Sequence, residues 1–164
     1  MSVSWSAPPP EWNGAGSDNN WSNPLNWTNE VAPANDGTAN IGFAGATRLT
    51  SAVDSPWSIA SLAFNSRAGA FTITQFPLTI GAGGIVNNSA NTQTLNTDIT
   101  LSAAQTWNAA AGPISFSRAI DNNRRTLTVD GGFDTTIYST IANRGGLVKN
   151  GVGNLILGSG SFDF

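Results

Sequence analysis

The sequence predicts an all-β fold, a parallel β-helix (β-solenoid) closed at its N-terminal end by a tryptophan-rich cap. Three observations carry that expectation. Apolar residues fall at every second position in short segments, as at Leu127 and Val129, Ile137, Ile141, and Leu155 and Leu157. That period sets them on one face of a pleated strand, with Thr, Tyr or Ser on the other. Glycine turns divide these segments at spacings too short for a crossover helix, so neighbouring strands pair either as hairpins or as rungs of a coil. One phrase also recurs, an alternating strand, a glycine corner and a large apolar residue: Leu78-Thr-Ile-Gly-Ala-Gly-Gly-Ile85, Leu127-Thr-Val-Asp-Gly-Gly-Phe133 and Leu155-Ile-Leu-Gly-Ser-Gly-Ser-Phe162. With a degenerate copy around Asp98-Ile-Thr-Leu101, the implied period is roughly 20 to 28 residues, the range of solenoid repeats. The same short strands allow an antiparallel jelly-roll sandwich as the alternative.

Residues 1–45 read as the cap. Trp5, Trp12, Trp21 and Trp27 sit among Pro8-Pro9-Pro10, Asn23-Pro24 and Ala32-Pro33, and prolines at this density exclude a helix or a central strand. A solenoid needs its first rung covered, because an open end exposes apolar core and unpaired backbone groups. Indoles folded over that end supply the apolar area, and exposed indole faces would instead suit stacking on sugar rings. Residues 46–164 read as the rungs, with strand character already beginning at Ala39-Asn-Ile-Gly-Phe43. Thr47-Arg-Leu-Thr50, Ile59-Ala-Ser-Leu-Ala-Phe64, Ala70-Phe-Thr-Ile-Thr74, Leu78-Thr-Ile80 and Gly84-Ile-Val86 follow, broken by turn-forming residues such as Asp54-Ser-Pro56 and Phe76-Pro77. Thr94 to Leu101 resumes the alternation, and Ala103 to Gly112 is the least strand-like section. Asp121-Asn-Asn-Arg-Arg125 is a polar turn, after which alternation runs to Ser161-Phe-Asp-Phe164.

At 164 residues the chain fits one domain. Only 10% of its residues are charged and 40% are hydrophobic, so its polarity is mostly uncharged and it can bury enough apolar surface to offset the ordering entropy. The net charge of −3 and the lack of basic clusters beyond Arg124-Arg125 argue against a nucleic-acid partner, whose phosphates require Lys and Arg. No apolar run approaches the ~20 residues of a membrane-spanning helix. Met1-Ser-Val-Ser lacks the basic start and apolar core of a signal peptide.

Gly146-Leu-Val-Lys-Asn-Gly-Val-Gly-Asn-Leu-Ile-Leu-Gly158 resembles the autotransporter-associated β-strand repeat. Leu147, Lys149, Gly151, Gly153, Leu155 and Leu157 fall on that family's phrase. Leu101 to Trp107 with Gly112 to Phe116, and Arg125 to Gly131, are similar to the rungs that precede it. Trp12, Trp21, Trp27, Pro33, Asp36, Ala39 and Phe43 resemble the tryptophan-rich start of many large secreted bacterial proteins built from these repeats. The resemblance implies a right-handed parallel β-helix displayed outside the cell, at the cell surface or beyond it, whose signal peptide has been removed or lies before the first residue given. Family members are usually much longer than this chain.

The chain has neither histidine nor cysteine, which removes Ser-His-Asp and Cys-His catalysis and imidazole or thiolate metal sites. Carboxylate chemistry remains, at Asp121, Asp130 and Asp134 beside Arg124, Arg125 and Arg144, yet each of these aspartates borders a turn, where Asp serves local hydrogen bonding. Val129-Asp-Gly-Gly-Phe-Asp134 is one isolated segment with the wrong spacing for a calcium roll. Gly151-Val-Gly153 lacks the third glycine and the βαβ context of a dinucleotide fingerprint. No catalytic, cofactor or metal site is therefore assigned.

The expected function is a non-enzymatic extracellular structural or surface-display module, an adhesin fragment or a self-assembling filament subunit. Its association is expected head-to-tail through Leu155, Leu157, Phe162 and Phe164, which are apolar and lightly charged. Two other readings stay open. A carbohydrate-binding module would stack polysaccharide on Trp12, Trp21 and Trp27, and a polysaccharide-degrading β-helix enzyme would gather Asp121, Asp130 and Asp134 in one cleft.

Overall fold

The computed structural model describes residues 8–163; Trp5 and Phe164 lie outside the described residues. The chain coils as a β-solenoid of about six turns. Every pairing between its strands is parallel, in one ten-stranded and one six-stranded sheet. Trp57 lies opposite Leu78, Leu78 opposite Ile99, Ile99 opposite Ile120, and Ile120 opposite Ile141, which in turn bridges Phe162; each step is 21 residues. On the second sheet Ile73, Leu95, Phe116, Ile137 and Leu157 stack with steps of 20 to 22. These contacts rule out the jelly-roll alternative, which pairs strands antiparallel. Among the described residues the antiparallel contact is a single bridge, Trp12 to Trp27.

A third inward column runs Ile41, Leu62, Ile85, Trp107 and Val129. All five are buried, and together the columns form one continuous core. The burial pattern alternates as a half-buried strand requires, for example through Gln105–Ala109 and Leu127–Val129. The long strand Leu78–Asn87 covers two sides of the coil, and its pairing with Trp57–Phe64 shifts register between Ile59 and Ser61. At that bend Gly84 takes φ +63, and a Cβ there would strike the Thr106 carbonyl. In later turns the same stretch splits into two strands around corners such as 122–126.

The recurring phrase does not mark equivalent places in the coil. Leu78–Ile80 belongs to the column of Ile99, Leu127 pairs with Gln105 and Leu147, and Leu155 pairs with Thr135 on the other sheet. The phrase therefore recurs once per side, because each side of the coil imposes the same demand: an alternating strand, then a tight corner. Asp98-Ile-Thr-Leu101 is the true next copy of Leu78–Ile80. The stretch expected to be least strand-like holds the strand Gln105–Ala109. Its buried Gln105 is accommodated because its amide donates to the Ile80 carbonyl (2.9 Å) and accepts from Trp107 Nε1 (2.9 Å), while Trp107 stacks on Phe116 at 4.1 Å between ring centroids.

The N-terminal segment is continuous with the coil. Glu11–Trp12 pairs with Asn40–Phe43, which pairs with Ser61–Phe64. Between them the chain loops through two short 3-10 turns, Pro24–Asn26 and Thr28–Glu30. Buried Asn26 pins that loop: its Oδ1 accepts from the Gly16 N–H (3.0 Å), and its Nδ2 donates to the carbonyls of Asp18 (3.1 Å) and Asn20 (3.0 Å).

Candidate functional site

The tryptophans are core. Trp12, Trp21 and Trp27 are each 1% exposed or less, so the sugar-stacking role assigned to them is corrected: no indole face is open to a ring. Trp12 meets Trp27 edge-on at 5.2 Å and stacks on Phe43 at 5.7 Å, while Trp21 lies 5.2 Å from Trp57. Each indole N–H is also used, Trp27 on the Trp21 carbonyl (2.7 Å), Trp21 on Ser51 Oγ (3.3 Å) and Trp12 on the Thr47 carbonyl (3.4 Å). Burying both the rings and their N–H groups is the arrangement of a lid. Trp57 and Trp107 are buried as well.

The opposite end is built differently. Leu147–Lys149 and Leu155–Leu157 each pair with a strand on one side only, so their other edges present free N–H and C=O groups among the described residues. Leu155 and Phe162 are half-buried against the core, Leu157 is exposed at 38%, and Ile156 and Val148 beside them are exposed too. Val152, at the corner between the two strands, is 90% exposed. Phe164 lies outside the described residues. Lys149 pairs with Val129 and so follows it in an otherwise apolar inward column; its ammonium donates to the carbonyls of Asn150 and Gly151.

The carboxylates are spread over two corners of one turn. Asp121 Oδ1 accepts from the Asn123 N–H (2.6 Å), Asp130 Oδ1 from the Gly131 N–H (2.7 Å), and Asp134 Oδ1 from the Asn154 N–H (2.9 Å). Asp121 and Asp130 do the local turn bonding expected of Asp at corners, whereas Asp134 ties its corner to Asn154 of the next rung. Arg124 and Arg125 are exposed, and Arg144 lies 3.6 Å from the exposed Asp163. Among the described residues no group of three or more His, Cys, Asp or Glu is placed to hold a metal ion.

Three features escaped the sequence reading. A cleft of about 410 Å³ runs beside the lid, lined by Pro8, Pro10, Val31, Pro33 and Ala39. Asn122 is fully buried with neither amide atom hydrogen-bonded. The outward side of the six-stranded sheet carries a column of hydroxyls, Thr50, Thr72, Thr94, Ser115 and Thr136. The signal for that column was present as Thr72-Ile-Thr74, Thr94-Leu-Asn96, Ser115-Phe-Ser117 and Thr136-Ile-Tyr138, spaced by one turn each.

Comparison of the chain with known family models, with curated proteins and with solved structures finds no match to any of them.

Proposed function

We propose that this chain is a non-enzymatic structural module of the cell exterior, akin to autotransporter-associated repeat proteins, that associates head-to-tail with further copies of itself. The observation that carries this reading is the contrast between the ends: three buried indoles close one, while the other holds unpaired strand edges beside Leu155, Ile156 and Leu157. The open rung offers the lid end of a second copy apolar surface and unpaired backbone groups to meet, a heterologous contact that propagates. Residues 8–45 carry Glu11, Asp18, Glu30 and Asp36 and no Lys or Arg, whereas in the last turns Arg118, Arg124, Arg125, Arg144 and Lys149 stand against Asp121, Asp130, Asp134 and Asp163. Two acidic lid ends repel, and an acidic lid end meeting a near-neutral open end does not. The use of Asp121, Asp130 and Asp134 as acceptors of backbone N–H groups favours a structural over a catalytic role. The repeat phrase and the sparsely charged, Asn- and Thr-rich composition favour the exterior.

Light scattering and negative-stain imaging of the purified chain at rising concentration test the proposal. Rods that lengthen with concentration and vanish in an Ile156→Lys, Leu157→Lys variant are expected. A monodisperse monomer at every concentration and ionic strength overturns the assembly, and cleavage of any member of a polysaccharide panel overturns the non-enzymatic reading.

A further inference from the structure

We infer that the outward face of the six-stranded sheet binds ice. Five successive rungs set a hydroxyl at one outward position, with Thr50 opposite Thr72, Thr72 opposite Thr94, Thr94 opposite Ser115, and Ser115 opposite Thr136. Their sequence neighbours Ile73, Leu95, Phe116 and Ile137 are buried, so the pleat turns the hydroxyls to solvent. Two residues further along, the positions are mixed and internally bonded: buried Ala52 lies opposite Thr74, whose hydroxyl donates to the Ser51 carbonyl (3.2 Å), and the Ser117 hydroxyl donates to Asn96 Oδ1 (3.0 Å). The result is one regular row of hydroxyls, about 4.8 Å from strand to strand.

The chemistry of this face selects its occupant. The strands Thr50–Val53, Thr72–Gln75, Gln93–Asn96, Ile114–Phe116 and Thr135–Ile137 contain no ionisable side chain, so neither a polyanion nor a polycation finds charge to pair with, and an uncharged partner matches it. The hydroxyls of Thr72, Thr94, Ser115 and Thr136 bond to no other described residue. A hydroxyl both donates and accepts, as water does, and can take the place of a water molecule in a hydrogen-bonded lattice. Threonine is stiff at χ1, and each of these strands is paired on its flanks, so the array is held in place before anything binds and little ordering cost remains. Its repeat lies close to the spacing of oxygen rows in hexagonal ice. A sugar chain would call for an aromatic platform across the face, and the exposed aromatics here, Phe76, Phe133 and Tyr138, stand beyond the strand ends.

The test is thermal hysteresis and ice-recrystallisation inhibition by the full chain, read beside circular dichroism of each variant. Faceted ice crystals and a freezing gap that widens with concentration are expected. Thr94→Arg should abolish both, and Thr100→Arg, an outward hydroxyl on the other sheet, should leave them unchanged. Should Thr94→Arg fail to fold, Thr72→Lys reads the same column. Absence of ice shaping by the folded chain, or equal loss in Thr100→Arg, overturns the inference. Binding to microcrystalline cellulose or chitin without any effect on ice also overturns it, in favour of a polysaccharide.

Discussion

Lys149 stands opposite Val129, one rung beyond a column that runs inward through Ile41, Leu62, Ile85, Trp107 and Val129. A cation at that position blunts the open edge, as charged residues do on exposed strands, and its ammonium turns aside to the Asn150 and Gly151 carbonyls. Replacing Lys149 with Leu should extend the apolar surface of this face and shift association to lower protein concentration. Sedimentation velocity of both forms measures this, and unchanged profiles would deny Lys149 a gating part.

Gly153 lies where a side chain would fall on the Phe133 carbonyl of the rung beneath. Gly153→Ala should therefore cost about 1–3 kcal/mol, the range of forced overpacking. Gly132→Ala is the matched control, since a Cβ there meets nothing within 4 Å. Urea unfolding of the pair checks the difference.

The Asn20 backbone N–H, followed by the Asn23 amide, holds the Asp18 carboxyl below its ordinary range. A carboxyl lowered on folding adds stability that is fully present above its unfolded pKa and is lost as pH falls through the folded one. Melting temperature should fall with pH through the acid carboxylate range, and Asp18→Asn should flatten part of that fall. Equal slopes in the two proteins would place the acid sensitivity elsewhere.

Asn122 is buried with both amide atoms unpaired, one residue beyond the Asp121–Thr100 pair. A buried polar group without partners costs about 1–3 kcal/mol, so Asn122→Leu, of similar shape and apolar, should raise stability by up to that amount. Denaturant titration measures it. A loss of stability would show instead that the amide is bonded in solution.

The sequence by itself determined the fold class and most of the core. Alternation is a local property: Leu127 and Val129, or Ile99 and Leu101, must face inward in any sheet that buries one side, and the expected period of roughly 20 to 28 residues brackets the observed steps of 20 to 22 on the second sheet. The glycine phrase, equally local, could be matched to the wrong side of the coil because all sides make the same demand on a strand and its corner. What only the tertiary structure decided is which strand rests on which, since that depends on the length of every corner at once. Stacking decided for Trp12, Trp21 and Trp27 between the lid and the ligand surface that the sequence left open, because the first rungs offered them an apolar floor and oxygen partners for their N–H groups. Stacking also aligned Thr50, Thr72, Thr94, Ser115 and Thr136, which stand a turn apart in the chain and become neighbours only when the coil brings successive rungs to hydrogen-bonding distance.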